Sequence, residues 1–130
     1  MASSLGQIGL VAAGGAIGAL LRFGISSGMV RLVGERFPWG TLLVNAAGCL
    51  AIGLIIGWFE SRRDLPESVR LLLVVGLLGS LTTFSTFAGD TLVLAREGRL
   101  PAAALNIAAN LALGFALAAL GWWITRPGLP

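Results

Sequence analysis

The chain lacks histidine, lysine and tyrosine, and it contains a single cysteine, Cys49. Without histidine it cannot form a histidine-based catalytic triad or a Cys/His zinc site, and one cysteine cannot form a disulfide within the chain. Ser85 has no histidine to activate its hydroxyl as the nucleophile of an intramembrane hydrolase. Charged residues make up only 12% of the 130 residues. These absences exclude most enzymes, and we predict that the protein is not one.

Apolar residues are abundant, at 56% of the chain, with a mean hydropathy of +0.90. Helices of about 1.5 Å rise per residue need roughly 20 apolar residues to cross a hydrocarbon core of about 30 Å. We therefore predict an all-α membrane protein with one four-span domain over residues 1–130 and no soluble catalytic or nucleic-acid-binding domain. The predicted transmembrane helices lie at about 8–33, 41–59, 71–95 and 101–124.

The basic residues, nine arginines, are balanced between the two sides of the predicted bundle. Because an excess of Lys/Arg on one side sets orientation, a balanced chain is expected to insert both ways up. This predicts a dual-topology, antiparallel homodimer with its two-fold axis in the membrane plane. The alternative is that one arginine dominates by its position. The side with the termini and the middle loop carries Arg62, Arg63, Arg70 and Arg126, and the other side carries Arg31, Arg36, Arg96 and Arg99.

Glycine pairs four residues apart occur on two of the predicted helices. Small residues at this spacing lie on one helix face and let neighbouring backbones approach closely. The pairs therefore predict tight packing rather than a function. They are Gly14 with Gly18, Gly24 with Gly28, and Gly53 with Gly57.

Uncharged polar residues also lie inside the spans. Thr41 and Asn45 are one turn apart on the second span, and Asn106 and Asn110 are one turn apart on the fourth. A polar group in a membrane is costly unless it finds a partner or faces a wet path. Each asparagine alone is explained equally well by a hydrogen bond to a neighbouring helix. Together with a hydroxyl cluster in the third span, they favour a polar path.

Two charged residues in the spans each allow more than one interpretation. Arg22 can reach the interface with its guanidinium, or it can supply a positive potential at the mouth of an aqueous cavity. Asp90 can pair with an arginine, cap a broken helix, or line a polar path. A lone carboxylate does not make an acid–base site.

The hydroxyl cluster lies in the stretch Gly79–Asp90, which reads GSLTTFSTFAGD. Ser and Thr side chains compete with the helix for backbone partners, so the third helix is predicted to break here. Carbonyls freed at such a break suit a small cation. Phe84 and Phe87 project from much the same face, and a phenyl ring presents a positive edge that can attract an anion. Packing is the simpler explanation for the two rings.

Three segments, GGAIGALLRF, GTLLVNAAGC and GLLGSLTTFSTF, resemble in order and spacing the Fluc (CrcB) family of fluoride channels. The resemblance covers nearly the whole chain. It implies a dual-topology antiparallel homodimer in the bacterial plasma membrane, with two narrow pores that conduct fluoride passively and reject chloride. In an acidic medium, fluoride enters a cell as neutral hydrogen fluoride. Such a channel would export the fluoride that accumulates in the cytoplasm and would thereby reduce its toxicity.

The resemblance also implies roles for individual residues. The ring edges of Phe84 and Phe87 would line the fluoride path, with Asn45 as the pore asparagine. A structural sodium ion at the dimer interface would be held by the backbone carbonyls of Gly79 and Thr82, where the third helix breaks mid-membrane. The remaining matches are Arg22, which corresponds to the family's first-span arginine, and Thr41, Ser85 and Asp90, which fall where the polar wall of the path would be.

The fourth span departs from the family pattern. The family commonly has a tyrosine followed four residues later by a serine, where this chain has Asn106 and Asn110. An amide N–H at Asn110 can replace a hydroxyl donor to an anion, whereas Asn106 lacks the bulk of a phenol. We predict that both residues belong to the fluoride path.

Two other functions are compatible with four short spans. A small multidrug-resistance transporter would need a carboxylate in the first span, and that span holds Arg22 and no Asp or Glu. A membrane assembly subunit would need only the glycine pairs, and the polar residues would then have no purpose.

Overall fold

The computed structural model describes residues 3–62 and 65–128, so Arg63 lies outside the described residues. Four helices are long and apolar enough to cross a membrane, which confirms the predicted all-α, four-span class. Their spans are Ser4–Val33, Trp39–Glu60, Glu67–Arg96 and Leu100–Thr125, and each contains one of the predicted stretches. The elements are α1 (Ser4–Val33), α2 (Trp39–Arg62), α3 (Glu67–Val69), a π-helix (Arg70–Leu78), α4 (Gly79–Leu81), α5 (Phe84–Arg96) and α6 (Leu100–Thr125).

Helix boundaries follow local sequence signals. The Ser3 side chain accepts a hydrogen bond from the Gly6 amide at the start of α1, and Gly34 ends this helix with a φ of 80°. Gly98, with a φ of 75°, lies in the turn between α5 and α6. Such left-handed backbone favours glycine. Pro101 occupies the first turn of α6, where a missing N–H costs little.

Contacts at the ends of the helices and in their connections show which helix ends lie on the same side of the bundle. Arg99 donates to the carbonyl of Arg36, which joins the α1–α2 loop to the α5–α6 turn. At the other end, Gln7 donates to Glu67 over 3.0 Å, and Trp122 donates to Glu60 over 2.7 Å. The two chain ends and the middle loop therefore share one side, as an up-and-down bundle of four helices requires.

Two helix pairs have the most extensive contacts, α2 with α6 and α1 with the π-helix. Glycines make both approaches possible, since a Cβ at Gly14 would clash with the carbonyl of Leu72, and one at Gly53 with that of Ala118. Close packing is thus confirmed for two of the three glycine pairs. For the third pair, Gly24 and Gly28, the prediction of close packing is wrong within the described chain, because a Cβ at either position would meet no atom within 4 Å. Both therefore lie on a face of α1 that no other described helix approaches closely.

A small apolar core of Val44, Leu78 and Leu81 lies where α2 meets the third span. In the four membrane-length helices, only 11–28% of the most apolar windows is buried within the chain. A large apolar surface therefore remains for lipid or for a second copy. This is the surface that a membrane protein is expected to present.

Candidate functional site

The third span is not regular at Thr82 and Thr83. Helix α4 ends at Leu81, Thr82 has extended dihedrals (φ −83°, ψ 151°), and so does Thr83 (φ −153°, ψ 115°). The hydroxyl of Thr82 donates to the carbonyl of Leu78 over 2.9 Å, and that of Thr83 caps α5 by accepting from the Thr86 amide over 3.2 Å. The Thr82 hydroxyl shares the Leu78 carbonyl with the Thr82 amide, and the Thr83 hydroxyl takes the place of a helical acceptor, which is the competition that favours irregular backbone.

Two backbone amides near this irregularity have left their helical acceptors. A continuous α-helix would direct the Thr83 amide to the carbonyl of Gly79, but this amide donates to Asn45 Oδ1 over 2.9 Å. The Thr86 amide, which would serve the carbonyl of Thr82, donates to the Thr83 hydroxyl. The carbonyls of Gly79 and Thr82 are therefore released from the helical pattern.

Asn45 of α2 binds both backbone groups of Thr83. Its oxygen accepts from the Thr83 amide, and its nitrogen lies 3.4 Å from the Thr83 carbonyl oxygen. The close approach of α2 depends on Gly48, where a Cβ would clash with the methyl group of Thr82. The orientation of the Asn45 amide is thus fixed by the backbone that it holds.

The Asn45 nitrogen also donates to Asn110 Oδ1 over 3.1 Å and starts a chain of side-chain hydrogen bonds. Asn110 Nδ2 donates to both the backbone oxygen and Oδ1 of Asn106, each over 3.0 Å. Asn106 Nδ2 donates to the hydroxyl of Thr91 over 2.9 Å, and this hydroxyl donates to the carbonyl of Phe87 over 2.8 Å. The amide chain therefore links α2 through α6 to α5.

Phe84 and Phe87 lie beside the amide chain with ring centroids 5.5 Å apart and planes inclined by 60°. Phe84 is 77% exposed in the single chain, whereas Phe87 is 9% exposed. Both rings border a cavity of about 450 Å³, and no charged residue lines it. Its polar lining comes from Asn45, Thr82, Thr83 and Asn110.

Gly79 and Thr82, predicted for the sodium site, also line this cavity, whereas the other residues predicted for the fluoride path lie outside it. Thr41 donates to Asp90 Oδ2 over 2.6 Å, and the pair borders a second cavity of about 260 Å³ near the α1–α2 loop. Ser85 is exposed, with its hydroxyl 3.1 Å from that of Thr83. Arg22 is half-buried and lines neither cavity; it forms no hydrogen bond or ion pair with any residue in the ranges 3–62 and 65–128. Asn106 is fully buried.

Sequence reasoning missed two residues of this arrangement. Thr83 lies in the stretch predicted to break but was not predicted as the backbone partner of Asn45, and no role was predicted for Thr91. A usable signal exists for Thr91: it follows Phe87 by four residues, the spacing at which a threonine hydroxyl bonds back to a helical carbonyl. Its contact with Asn106 depends on the packing of α5 against α6, which the sequence does not reveal.

Comparison with known proteins gives a consistent result. Residues 9–122 match the family described as CrcB-like protein, Camphor Resistance (CrcB). The fluoride-specific ion channel FluC of Aeromonas salmonicida is 50% identical over 111 residues, covering 85% of this chain and 89% of the relative. Fluoride-specific ion channel FluC 1 of Nitrobacter hamburgensis is 43% identical over 116 residues (89% and 92%), and that of Natronomonas pharaonis is 51% identical over 108 residues (83% and 84%).

Proposed function

The chain belongs to the CrcB-like family, and we propose that it is a fluoride-selective channel through which cytoplasmic fluoride leaves the cell passively. The relatives that match most of its length are named as fluoride-specific ion channels. The observation that carries the proposal within this chain is the cavity of about 450 Å³ where Asn45, Asn110, Phe84 and Phe87 meet. A multidrug transporter has no comparable support.

The chemistry of that cavity suits a small, strongly hydrated anion. A selective path must replace water with donors, yet bind weakly enough at each point for the ion to leave. Amide N–H groups and phenyl ring edges are neutral donors of this kind. Because no charged residue lines the cavity, an anion would not be trapped by a full positive charge.

The outer parts of the path are proposed from the remaining polar residues. The Thr41–Asp90 pair and the exposed Ser85 hydroxyl would form its polar wall. Arg22, which has no ion-pair partner among the described residues, would raise the positive potential near one mouth. Asn106 lies behind Asn110 and supports it.

A structural sodium ion is proposed at the irregular backbone of the third span. The carbonyl oxygens of Gly79 and Thr82 would be its ligands, because the amides that would bond to them in a helix, those of Thr83 and Thr86, donate to other acceptors. Unwound backbone carbonyls are typical ligands for sodium in membrane proteins. Among the described residues no group of three acidic, histidine or cysteine side chains competes for a cation.

We further propose that two copies associate in antiparallel orientation, with the third helix of each interrupted within the membrane at Thr82 and Thr83. The balanced arginines and the exposed apolar faces support this assembly. Phe84, 77% exposed beside the cavity, would be covered by the second copy. Cross-linking of single cysteines introduced at both ends of the bundle would test it, since only an antiparallel pair joins opposite ends.

Ion efflux from liposomes tests the function. Purified protein is reconstituted in potassium-loaded vesicles, valinomycin relieves the counter-potential, and fluoride and chloride electrodes follow release in parallel. A fluoride channel releases fluoride rapidly and retains chloride. Vesicles that contain folded protein but release neither ion would refute the proposal.

A further inference from the structure

The direction of the amide chain is unfavourable for an anion. Asn110 turns its oxygen toward Asn45 and its nitrogen, which carries both N–H groups, toward Asn106. An anion between Asn45 and Asn110 would therefore meet the side-chain oxygen of Asn110 instead of its N–H groups. To bind the ion, the Asn110 amide must exchange its two ends.

Asn45 cannot make this exchange in place of Asn110. Its oxygen holds the Thr83 amide over 2.9 Å, and its nitrogen faces the Thr83 carbonyl. Turning the Asn45 amide would set donor against donor and acceptor against acceptor, and a buried polar group left without a partner is costly. If Asn110 turns while Asn45 keeps its orientation, the N–H groups of these two asparagines converge on one point between α2 and α6. That point is then a site for an anion.

Asn110 can turn only if Asn106 turns with it. Otherwise the Asn110 oxygen would face both the side-chain oxygen and the backbone oxygen of Asn106, acceptors with no proton between them. When Asn106 turns, its nitrogen donates to the Asn110 oxygen, which offsets the lost hydrogen bond to the Asn106 backbone oxygen, and its own oxygen moves to face Thr91. Asn106 has 0% exposure, so water is not available to satisfy this oxygen.

The Thr91 hydroxyl can supply the missing partner. It now accepts from Asn106 and donates to the carbonyl of Phe87. A hydroxyl is both a donor and an acceptor and rotates to suit its neighbours, so it can donate to the turned Asn106 oxygen instead. A group that only donates or only accepts, such as a backbone N–H or a backbone carbonyl, could serve only one direction of the chain.

We propose that Thr91 and Asn106 are positioning residues of the fluoride path, which allow Asn110 to turn its N–H groups toward the ion by reversing the direction of the hydrogen-bond chain. In the ion-free state the chain runs from Asn45 to Thr91, and with fluoride between Asn45 and Asn110 it runs from Thr91 to Asn110. Neither positioning residue touches the ion. The inference rests on the fluoride conduction proposed above and is specific to the asparagine at position 106.

The test compares isosteric and hydroxyl-retaining substitutions at Thr91 in full-length protein in liposomes. Thr91→Val removes the hydroxyl that can either donate to or accept from Asn106. It is expected to lower fluoride flux about tenfold. Thr91→Ser keeps the hydroxyl and should stay within about twofold of the parent. In an Asn106→Leu background, Thr91→Val should have almost no further effect, because the coupling passes through Asn106.

Thr125→Val is the matched control. The Thr125 hydroxyl also donates to a helical carbonyl four residues back, that of Gly121, and to the carbonyl of Leu54, but it lies outside both cavities that border the polar residues. The same substitution there should leave fluoride flux unchanged. Equal losses at Thr91 and Thr125 would mean that any lost hydroxyl impairs the fold, and would overturn the inference.

Side-chain amide NMR separates positioning from stability and does not depend on the Asn106→Leu variant folding. In ¹⁵N-labelled parent protein, potassium fluoride should shift the side-chain signals of Asn106 and Asn110 together, and potassium chloride should not. In Thr91→Val both shifts should be lost. A shift of Asn110 alone, or parent-like flux in Thr91→Val, would overturn the inference while fluoride conduction stands; a parent that conducts no fluoride would overturn both.

Discussion

Two contacts in the bundle are built in different ways: that of α1 with the π-helix, and the part of the contact among α2, α5 and α6 that surrounds Asn110. In the first, Gly14, Gly18 and Gly76 bring backbone against backbone, and side-chain polarity has no part in the contact. In the second, amides and hydroxyls from three helices make a continuous chain of hydrogen bonds. Backbone contacts of the first kind have one arrangement, whereas the hydrogen bonds of the second can exchange partners. Under the function proposed above, the first region would serve as the scaffold and the second as the path of the ion.

The glycine contact is expected to give the largest effect. A Cβ at Gly18 would clash with the carbonyl of Leu77, so Gly18→Ala should destabilise the protein by about 1–3 kcal/mol or prevent folding. Gly28→Ala is the control on the same helix, since a Cβ there meets nothing within 4 Å and alanine favours helices by up to about 1 kcal/mol. Thermal unfolding followed by size exclusion in detergent measures both. Equal midpoints would show that α1 does not rely on backbone contact.

The amide chain should be sensitive in function before stability. Asn45→Leu removes the group that holds Thr83 and faces Asn110, so we expect fluoride flux to fall about a hundredfold, equivalent to about 2.7 kcal/mol in the barrier. Electrode-monitored efflux from vesicles with equal amounts of folded protein gives the value. Retention of more than about a third of the parent flux would remove Asn45 from the path.

The phenylalanine rings are the next step down. Phe84→Ile and Phe87→Ile should each lower fluoride flux about tenfold, equivalent to about 1.4 kcal/mol, because an aliphatic side chain has no positive edge. The proposed dimer should persist. Phe23→Ile supplies the comparison on α1, where a ring that is 72% exposed lies outside the polar cavities. Unchanged flux in both Phe84 and Phe87 variants would restrict the rings to packing.

The smallest effect is expected at the end of the path. Thr41→Val removes the 2.6 Å hydrogen bond to Asp90 but leaves the cavity between Asn45 and Phe87 intact. Flux should fall by about threefold, equivalent to about 0.6 kcal/mol. Thr41→Ser, which keeps the donor, should restore it. A loss as large as that of Asn45→Leu would move the main barrier from the amide chain to the Thr41–Asp90 pair.

The sequence predicted the scaffold better than the polar contacts, for physical reasons. Four spans follow from apolar length alone, and the hydroxyls of Thr82 and Thr83 indicated irregular backbone because they compete with helical hydrogen bonds. The π-helix over Arg70–Leu78 was not predicted, since a purely apolar run has no feature that separates it from an α-helix. The uncovered Gly24 and Gly28 show that spacing identifies a face but not its neighbour.

The candidate site divides in the same way. Asn45, Asn110, Phe84 and Phe87 were predicted together, and the structure brings them to one cavity. Their actual roles there remain predictions. The Asn106–Thr91 hydrogen bond could not be predicted, because it depends on how far α5 slides along α6. Arg22 and the Thr41–Asp90 pair lie apart from that cavity. The sequence could not predict this, because a polar pattern does not fix where along a helix the mouth of a path lies.

Current recorded across a planar bilayer tests passive, selective conduction most directly. With a tenfold fluoride gradient and equal chloride on both sides, a fluoride-selective channel should give a reversal potential near the equilibrium potential of a monovalent ion, about 59 mV in magnitude. This potential should not change when a proton gradient is added. A reversal potential near zero, which conduction of chloride would give, or one that follows the proton gradient, would contradict the account.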